Sequence, residues 1–198
     1  MNDGVKKIIE EGVFYLHGRD KWLRPIFLIN VDKLQSMKPQ PDPEDVKTTL
    51  LLIFEYIKRH FCWKGKVENL NMIFNTYNLS FFKVPVKLLA EVLKTFQRIY
   101  KCMTKAIYVV NAPRAVHMIY KTVSIFIDDQ TAKKIMITSE PNNETMLERI
   151  NLNQLEKQFG GKIPTRTKDF WPPVCPTEDY GCSLSSKEEA KEETRVHL

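Results

Sequence analysis

The residue types that most often carry chemistry are present in this chain, but they do not stand at the spacings that chemistry requires. A serine nucleophile needs the sharp Gly-x-Ser-x-Gly elbow, a dinucleotide needs Gly-x-Gly-x-x-Gly, and a nucleoside triphosphate needs a glycine loop closed by Lys and then Ser or Thr. None occurs, and Gly160-Gly161-Lys162 runs on into Ile163-Pro164. Cys62 is not followed by the glycine-rich loop and Arg of a cysteine phosphatase. His17, His60 and His117 share no i, i+4 spacing, and Cys62, Cys102, Cys175 and Cys182 form no Cys-x-x-Cys pair, so no metal site is expected. Asp128-Asp129 is a carboxylate pair in sequence only; neighbours at a helix start point apart, and capping is the simpler use. The pattern speaks for a binding protein rather than an enzyme, with no cofactor.

The elements that position these residues alternate. Ile107 to Val110 is an apolar, β-branched run of the kind that forms a strand buried on both faces of a mostly parallel sheet, and Pro113 ends it. From Arg114 to Ile127, the residues Val116, Ile119, Tyr120, Val123, Phe126 and Ile127 fall at helical spacing. A short strand from Lys134 to Thr138 follows, then a loop with Pro141, Asn142 and Asn143, a helix through Glu148, and a stop at Gly160-Gly161. Upstream, the pattern predicts a helix over Val5 to Val13, a hairpin over Tyr15 to Val31, a helix from Glu44 to about His60, a strand over Leu70 to Thr76 and a helix over Val84 to Ile99. The stripe of Leu50, Ile53, Phe54 and Ile57 reads as core. The fold class is α/β, with helices chiefly for one face of the sheet, so the other face needs a cover.

At 198 residues and 43% hydrophobic content the chain is sized for one globular domain. The domain is placed at residues 1–169 and an irregular C-terminal tail at 170–198, with Ser183 to Leu198 expected to be disordered. No run approaches the roughly 18 apolar residues of a membrane span, and Met1-Asn2-Asp3-Gly4 lacks the basic and apolar segments of a signal peptide. A cytoplasmic protein with reduced cysteines is expected. The net charge of +6 raises two partners, nucleic acid and anionic membrane. Its basic residues are spread, as in Lys58-Arg59 and Lys133-Lys134, without a nucleic-acid motif, so transient contact with an anionic membrane is the better reading.

Several motifs in order resemble the CRAL-TRIO lipid-binding domain family, the fold of phosphatidylinositol-transfer, retinaldehyde-binding and tocopherol-transfer proteins. They are Gly18-Arg19-Asp20 with Arg24-Pro25-Ile26-Phe27, then Val110-Asn111-Ala112-Pro113, then Phe126-Ile127-Asp128-Asp129, then Leu155 to Gly161 with its Phe159-Gly160-Gly161 stop. The resemblance runs from about Tyr15 to about Gly161. It implies a mixed, mostly parallel sheet whose face without helices is taken up by a deep apolar pocket for one lipid molecule, closed by a mobile helix corresponding to Arg114 to Ile127. The family often carries a helical domain ahead of this one; little precedes Tyr15, so the chain reads as a short member or a fragment.

The resemblance also implies a site. Lys134 holds the position of a lysine that faces inositol phosphate in some members, but the Tyr-Pro-Glu-Arg motif that supplies its acidic partner is here Tyr100-Lys101-Cys102-Met103, with Cys102 in place of the Glu. Ser80 matches a serine that faces choline, while Leu16 and Phe27 replace the tyrosines expected with it. Lys134, Ser80, Leu16, Phe27 and Cys102 are thus the candidate lipid-binding residues, and Ile119, Val123, Phe126 and Ile127 the candidate gate. Fewer hydroxyls imply a hydrophobic ligand or a phospholipid read in another way. The function expected is binding, and exchange between membranes, of one lipid; the alternative is an interaction or membrane-recruitment module that keeps the fold without exchange, through a protein partner that the sequence does not name.

Overall fold

The computed structural model describes residues 2–80, 86–100 and 102–181. Asn2 starts the first element, its side chain accepting from the Val5 N–H at 2.8 Å to cap α1 (Asp3–Glu10), whose Val5, Ile8 and Ile9 are buried. The pattern extends this helix to Val13, but the chain leaves it at Gly12, which has φ +67 and faces Phe170 so closely that an added Cβ would stand 2.3 Å from its ring. A hairpin follows, β1 (Phe14–Arg19) against β2 (Pro25–Asn30), with Tyr15 opposite Leu28 and Leu16 opposite Phe27, and every residue of both strands is buried. Asp20 organises its turn. The fully buried carboxylate accepts from the Trp22 and Arg24 N–H groups at 2.9 and 2.8 Å through Oδ1, and from Asn71 Nδ2 at 2.8 Å and Arg24 Nη1 at 3.3 Å through Oδ2.

The chain then enters α2 (Val31–Ser36), a short helix that the pattern does not single out, and α3 (Pro43–His60). Asp42 caps α3 by accepting from the Glu44 N–H at 2.8 Å; Glu44 and Asp45 lie at its positive end and Lys58, Arg59 and His60 at its negative end. Next come β3 (Leu70–Asn75), α4 (Val86–Ile99), β4 (Thr104–Val110), α5 (Arg114–Val123), α6 (Asp129–Ala132), β5 (Ile135–Ile137) and α7 (Glu144–Arg149). The helix drawn from Arg114 to Ile127 is therefore shorter: after Val123 the chain tightens into a 3-10 turn, Ser124–Phe126. Asp128 does cap the following turn, accepting from the Gln130 and Thr131 N–H groups. Residues 84 and 85 of the predicted fourth helix, Lys101, Cys182 and the stretch from Ser183 to Leu198 lie outside the described residues.

The sheet has five strands in the order β1-β2-β3-β4-β5, antiparallel in the hairpin and parallel thereafter. Parallel neighbours taken in chain order and joined by right-handed crossovers put all their helices on one face. That face holds Phe14, Leu16, Phe27, Ile29, Leu70 and Met72 beneath α1, α3 and α4. The opposite face holds Tyr15, Ile26, Leu28, Ile73, Tyr108 and Val110, covered by Met146 and Ile150 of the α7 region, by Leu155 and Phe159 of the irregular chain after it, and by Phe170. β4 is not buried on both sides as its composition predicts: Ala106, Tyr108 and Val110 are buried on the second face, but Ile107 and Val109 on the helical face are only half-buried. The chain is irregular from the end of α7 onward, and its contacts with the domain continue past residue 169. Phe170 is buried against Tyr15 at 4.9 Å between centroids, Trp171 lies on Tyr56 at 4.5 Å, and Gln154 Nε2 donates to Thr177 and Asp179.

Asp20 offers a test of how far the fold leans on its hairpin turn. Asp20→Ala leaves two backbone N–H groups and Asn71 without their acceptor and Arg24 without its counter-charge, so urea unfolding is expected to show a loss of about 3–5 kcal/mol. A change within about 0.5 kcal/mol, the range of an ordinary surface substitution, would contradict this role.

Candidate functional site

The helices on the crowded face do not close down onto the sheet along its whole width. Between them lies a cavity of about 590 Å³, with Ile29, Met72, Phe74 and Ile107 as its floor, Leu50 and Phe54 of α3 and Leu88, Val92 and Phe96 of α4 as its walls, and Val116 and Ile119 of α5 at its side. The pocket thus lies on the helix-covered face, not on the face that the sequence leaves without helices, which is covered by α7 and irregular chain instead. The cause of the half-burial of Ile107 is now plain, since its sheet position faces the void. The same holds for α4: it is amphipathic, yet Leu88, Leu89, Val92, Leu93 and Phe96 are all only half-buried, because part of their apolar side meets the cavity.

One end of the cavity reaches the surface near Gln40 and Pro43, and the other near Cys102, Asp128 and Gln130, all exposed. The second end meets a recess of about 370 Å³. The two share Cys102, Thr104 and Lys134, and the recess adds Lys105, Lys133, Arg149 and Asn69. No described residue lining the recess is acidic. Lys134 is half-buried between them and its Nζ donates to the Thr104 carbonyl at 2.7 Å, which holds the ammonium at the junction.

The remaining sequence-predicted residues are dispersed. Cys102 lies at the cavity mouth, exposed and at φ +67. Leu16 and Phe27 are buried on the correct face of the sheet but do not line the cavity; Phe27 is sealed between Phe14 and Phe54, at 6.4 and 5.4 Å between centroids. Ser80 also stands off the wall, its backbone held by Gln35 through N–H donation to Oε1 at 2.9 Å and acceptance from Nε2 at 3.1 Å, while Leu79 beside it reaches the cavity. Of the gate residues only Ile119 lines the void. Val123 is buried elsewhere, and Phe126 and Ile127 are half-buried in and just after the 3-10 turn. That turn is tied to α4, where Gln97 Nε2 donates to the Phe126 carbonyl at 2.6 Å and Lys94 Nζ lies 4.9 Å from the Phe126 ring centre. Met118 and Ile125 point outward, 59% and 78% exposed.

Sequence reasoning missed a polar cluster on the far side of the sheet. Glu156, fully buried, accepts from Tyr15 OH at 2.8 Å and from Gln158 Nε2; Gln158 accepts from Asn75, and Asn75 from Asn111, the residue two before Pro113. Burial raises the Glu156 carboxyl above the usual range and, with the Glu156 charge and hydrogen bond, raises the Tyr15 phenol. His17 Nδ1 lies 3.4 Å from Glu156 Oε1, but burial, and then the Arg166 charge, depress its pKa to about 4, so the imidazole is neutral at neutral pH and the two are not an ion pair. Only the alternation of β1 pointed here, by placing Tyr15 and His17 on one face.

A family model for the CRAL/TRIO domain matches residues 9–161. Among solved structures, the crystal structure of Sfh5, from yeast, superposes with a TM-score of 0.65 at 17% identity, over 97% of this chain and 66% of that one. At that identity the likeness speaks for the fold alone, and the chain spans just under two thirds of the Sfh5 chain.

His17 sets an acid limit that can be measured. Because the folded state holds its pKa at about 4 against about 6.5 when unfolded, its contribution is complete above pH 6.5 and is lost as pH falls toward 4, where the unfolded chain binds the proton first. The loss amounts to about 3 kcal/mol. Glu156, raised in the folded state, contributes in the opposite sense, so the comparison is with His17→Leu: urea unfolding from pH 7 to 4 is expected to fall less steeply in the variant, and parallel curves would contradict the assignment.

Proposed function

Because the chain belongs to the CRAL/TRIO family of lipid-binding domains, we propose that it holds one lipid molecule in the cavity beneath α4 and α5 and exchanges it at membranes. The half-buried apolar side of α4 carries this reading. A helix whose apolar residues face a void forgoes the contacts that would repay their exposure, whereas a hydrocarbon occupant recovers about 0.8 kcal/mol for each methylene buried. The polar lining is at the ends, where a lipid has its head. Lys134, with Lys105, Lys133 and Arg149 in the adjoining recess, supports a head that carries negative charge.

The outward Met118 and Ile125, with exposed Lys121 between them, give α5 and the 3-10 turn after it an apolar and basic outer surface suited to an anionic bilayer. None of the described helices is long and apolar enough to cross a membrane, so contact of this kind would be peripheral.

Native mass spectrometry of the purified full chain, followed by organic extraction, is expected to find one lipid per protein. A protein that arrives empty and takes up no lipid from liposomes would refute the proposal and favour an interaction module on the same fold. Lys134→Ala combined with Lys105→Ala is expected to weaken uptake of acidic lipid relative to neutral lipid about thirtyfold, in line with about 1 kcal/mol for each of the two basic groups at a lipid surface. An unchanged ratio would remove the headgroup assignment and leave the cavity untouched.

A further inference from the structure

The recess beside the cavity has a construction of its own. Ala106 and Met136, which line it, pack with the core of the opposite face of the sheet, so it opens behind the end of β4 rather than under α4; among the described residues only Cys102, Thr104 and Lys134 belong to both. A β-bulge forms part of its wall. β3 and β4 pair Leu70 with Thr104 and Asn71 with Ala106, which leaves Lys105 as an extra residue in β4. The extra residue breaks the alternation that turns every second side chain away, and Thr104, Lys105 and Ala106 all line the recess.

Three separate pieces of chain bring cations to it: Lys105 from β4, Lys133 and Lys134 from the turn before β5, and Arg149 from the end of α7. Among the described residues none of the four is in an ion pair, and no carboxylate lines the recess. Asp128, at the mouth of the adjoining cavity, keeps its carboxylate on the Gln130 and Thr131 N–H groups and the Thr131 hydroxyl. A ligand with a single negative charge leaves most of these cations facing one another unopposed. A phosphomonoester carries about −1.5 to −2 and presents three terminal oxygens, where a phosphodiester has one charge and two free oxygens. The Arg149 fork can take two of the three, and a lysine ammonium the other. Asn69 completes the set. Its Oδ1 is buried without a hydrogen-bond partner, an orphan acceptor among donors, which a turn of the amide resolves by offering Nδ2 to a phosphate oxygen.

We infer that the recess is a site for a phosphomonoester, in preference to a phosphodiester, with Arg149, Lys105, Lys133 and Lys134 as its cations and Asn69 as its amide. The phosphate comes from the head of a lipid or from a soluble phosphomonoester; the first source rests on the lipid-binding reading above. The test uses the delipidated full chain. Vesicles of dioleoyl phosphatidylcholine carrying equal amounts of dioleoyl phosphatidic acid, a monoester, and dioleoyl phosphatidylglycerol, a diester, are offered, and bound lipid is counted by native mass spectrometry; in a parallel arm, sn-glycerol 3-phosphate and glycerophosphoglycerol are titrated calorimetrically. Because both acidic lipids sit in one membrane with the same acyl chains, their ratio reports the head alone. Phosphatidic acid is expected to be preferred about tenfold, consistent with charge-assisted bonds to a second negative charge. Lys133→Gln, an exposed position, is expected to lower its uptake about fivefold, the effect of one basic group near a lipid head, and to lower that of phosphatidylglycerol less. Arg149→Lys, which keeps the charge and loses the fork, is expected to cut the ratio about threefold. An even ratio together with glycerol 3-phosphate bound in preference to its diester, and lost in both variants, supports the site with a soluble source. An even ratio and no preference between the soluble esters, or preferences that neither variant changes, overturns the inference while leaving lipid binding intact. Binding of glycerol 3-phosphate by a chain that takes up no lipid overturns the lipid-binding reading and leaves the recess assigned.

Discussion

Parallel strands laid side by side in chain order, and joined by crossovers of one hand, must send every connecting helix to the same face of their sheet. The strands from β2 to β5 obey this rule, and the two faces differ as a result. One face receives α1, α3, α4 and α5, more helix than its width can accept at contact distance. The other receives none of the crossover helices and is closed by α7, two 3-10 turns and the strap at Phe170. The hairpin side of the crowded face is filled by α1 and α3 down to Phe27 and Leu16, so the surplus falls on the β3 and β4 side, under α4. A cavity there is a consequence of topology before it is a matter of any particular side chain.

The distribution of polar groups follows from the same division. Asp20, Glu156, His17 and Asn71 are all buried, and each is in the hairpin turn or on the face away from the cavity. A buried carboxylate needs donors, and the turns and irregular chain on that side supply backbone and side-chain groups that a regular helix would have used internally. The cavity face keeps its charge to the ends. That arrangement leaves an apolar interior whose unfilled volume forfeits dispersion contacts, so on the proposed reading the lipid completes the core as well as being its cargo, and an occupied chain should be the more stable one.

Regular elements were legible in the sequence wherever period and punctuation agreed: the hairpin, α3 from Glu44 on, β3, and the stop at Gly160-Gly161. α2 was not, because six residues following directly on a strand give less than two turns of pattern. The end of α5 at Val123 was missed for a related reason, since the apolar spacing continues through a 3-10 turn that keeps Phe126 near the same side. The motifs placed Lys134 and Cys102 at the rim of a cavity. They could not assign Leu16 and Phe27 correctly, because strand alternation gives the face of a residue but not whether a helix or a void lies above it. Which face carried the cavity was misjudged on the assumption that an uncovered face is the empty one; short irregular segments, which have no period to detect, cover it.

Few contacts hold α5 in the closed position. No ion pair joins it to the rest of the protein among the described residues, and its attachment consists of Val116, Ile119 and Val123, the bond from Gln97 to Phe126, and the Lys94 contact with the Phe126 ring. Exposing two or three aliphatic side chains to water costs about 1.5–3 kcal/mol each, enough to keep the helix shut in solution. The same side chains turned toward a bilayer incur almost none of that cost, and Met118 and Ile125 already lie on the surface that would meet it. On the proposed reading, opening is therefore coupled to the membrane through desolvation. The polar chain from Glu156 through Asn75 ends at Asn111, immediately before the Ala112-Pro113 step into α5, and so ties the chain to the far side of the sheet at the point where it leaves for that helix.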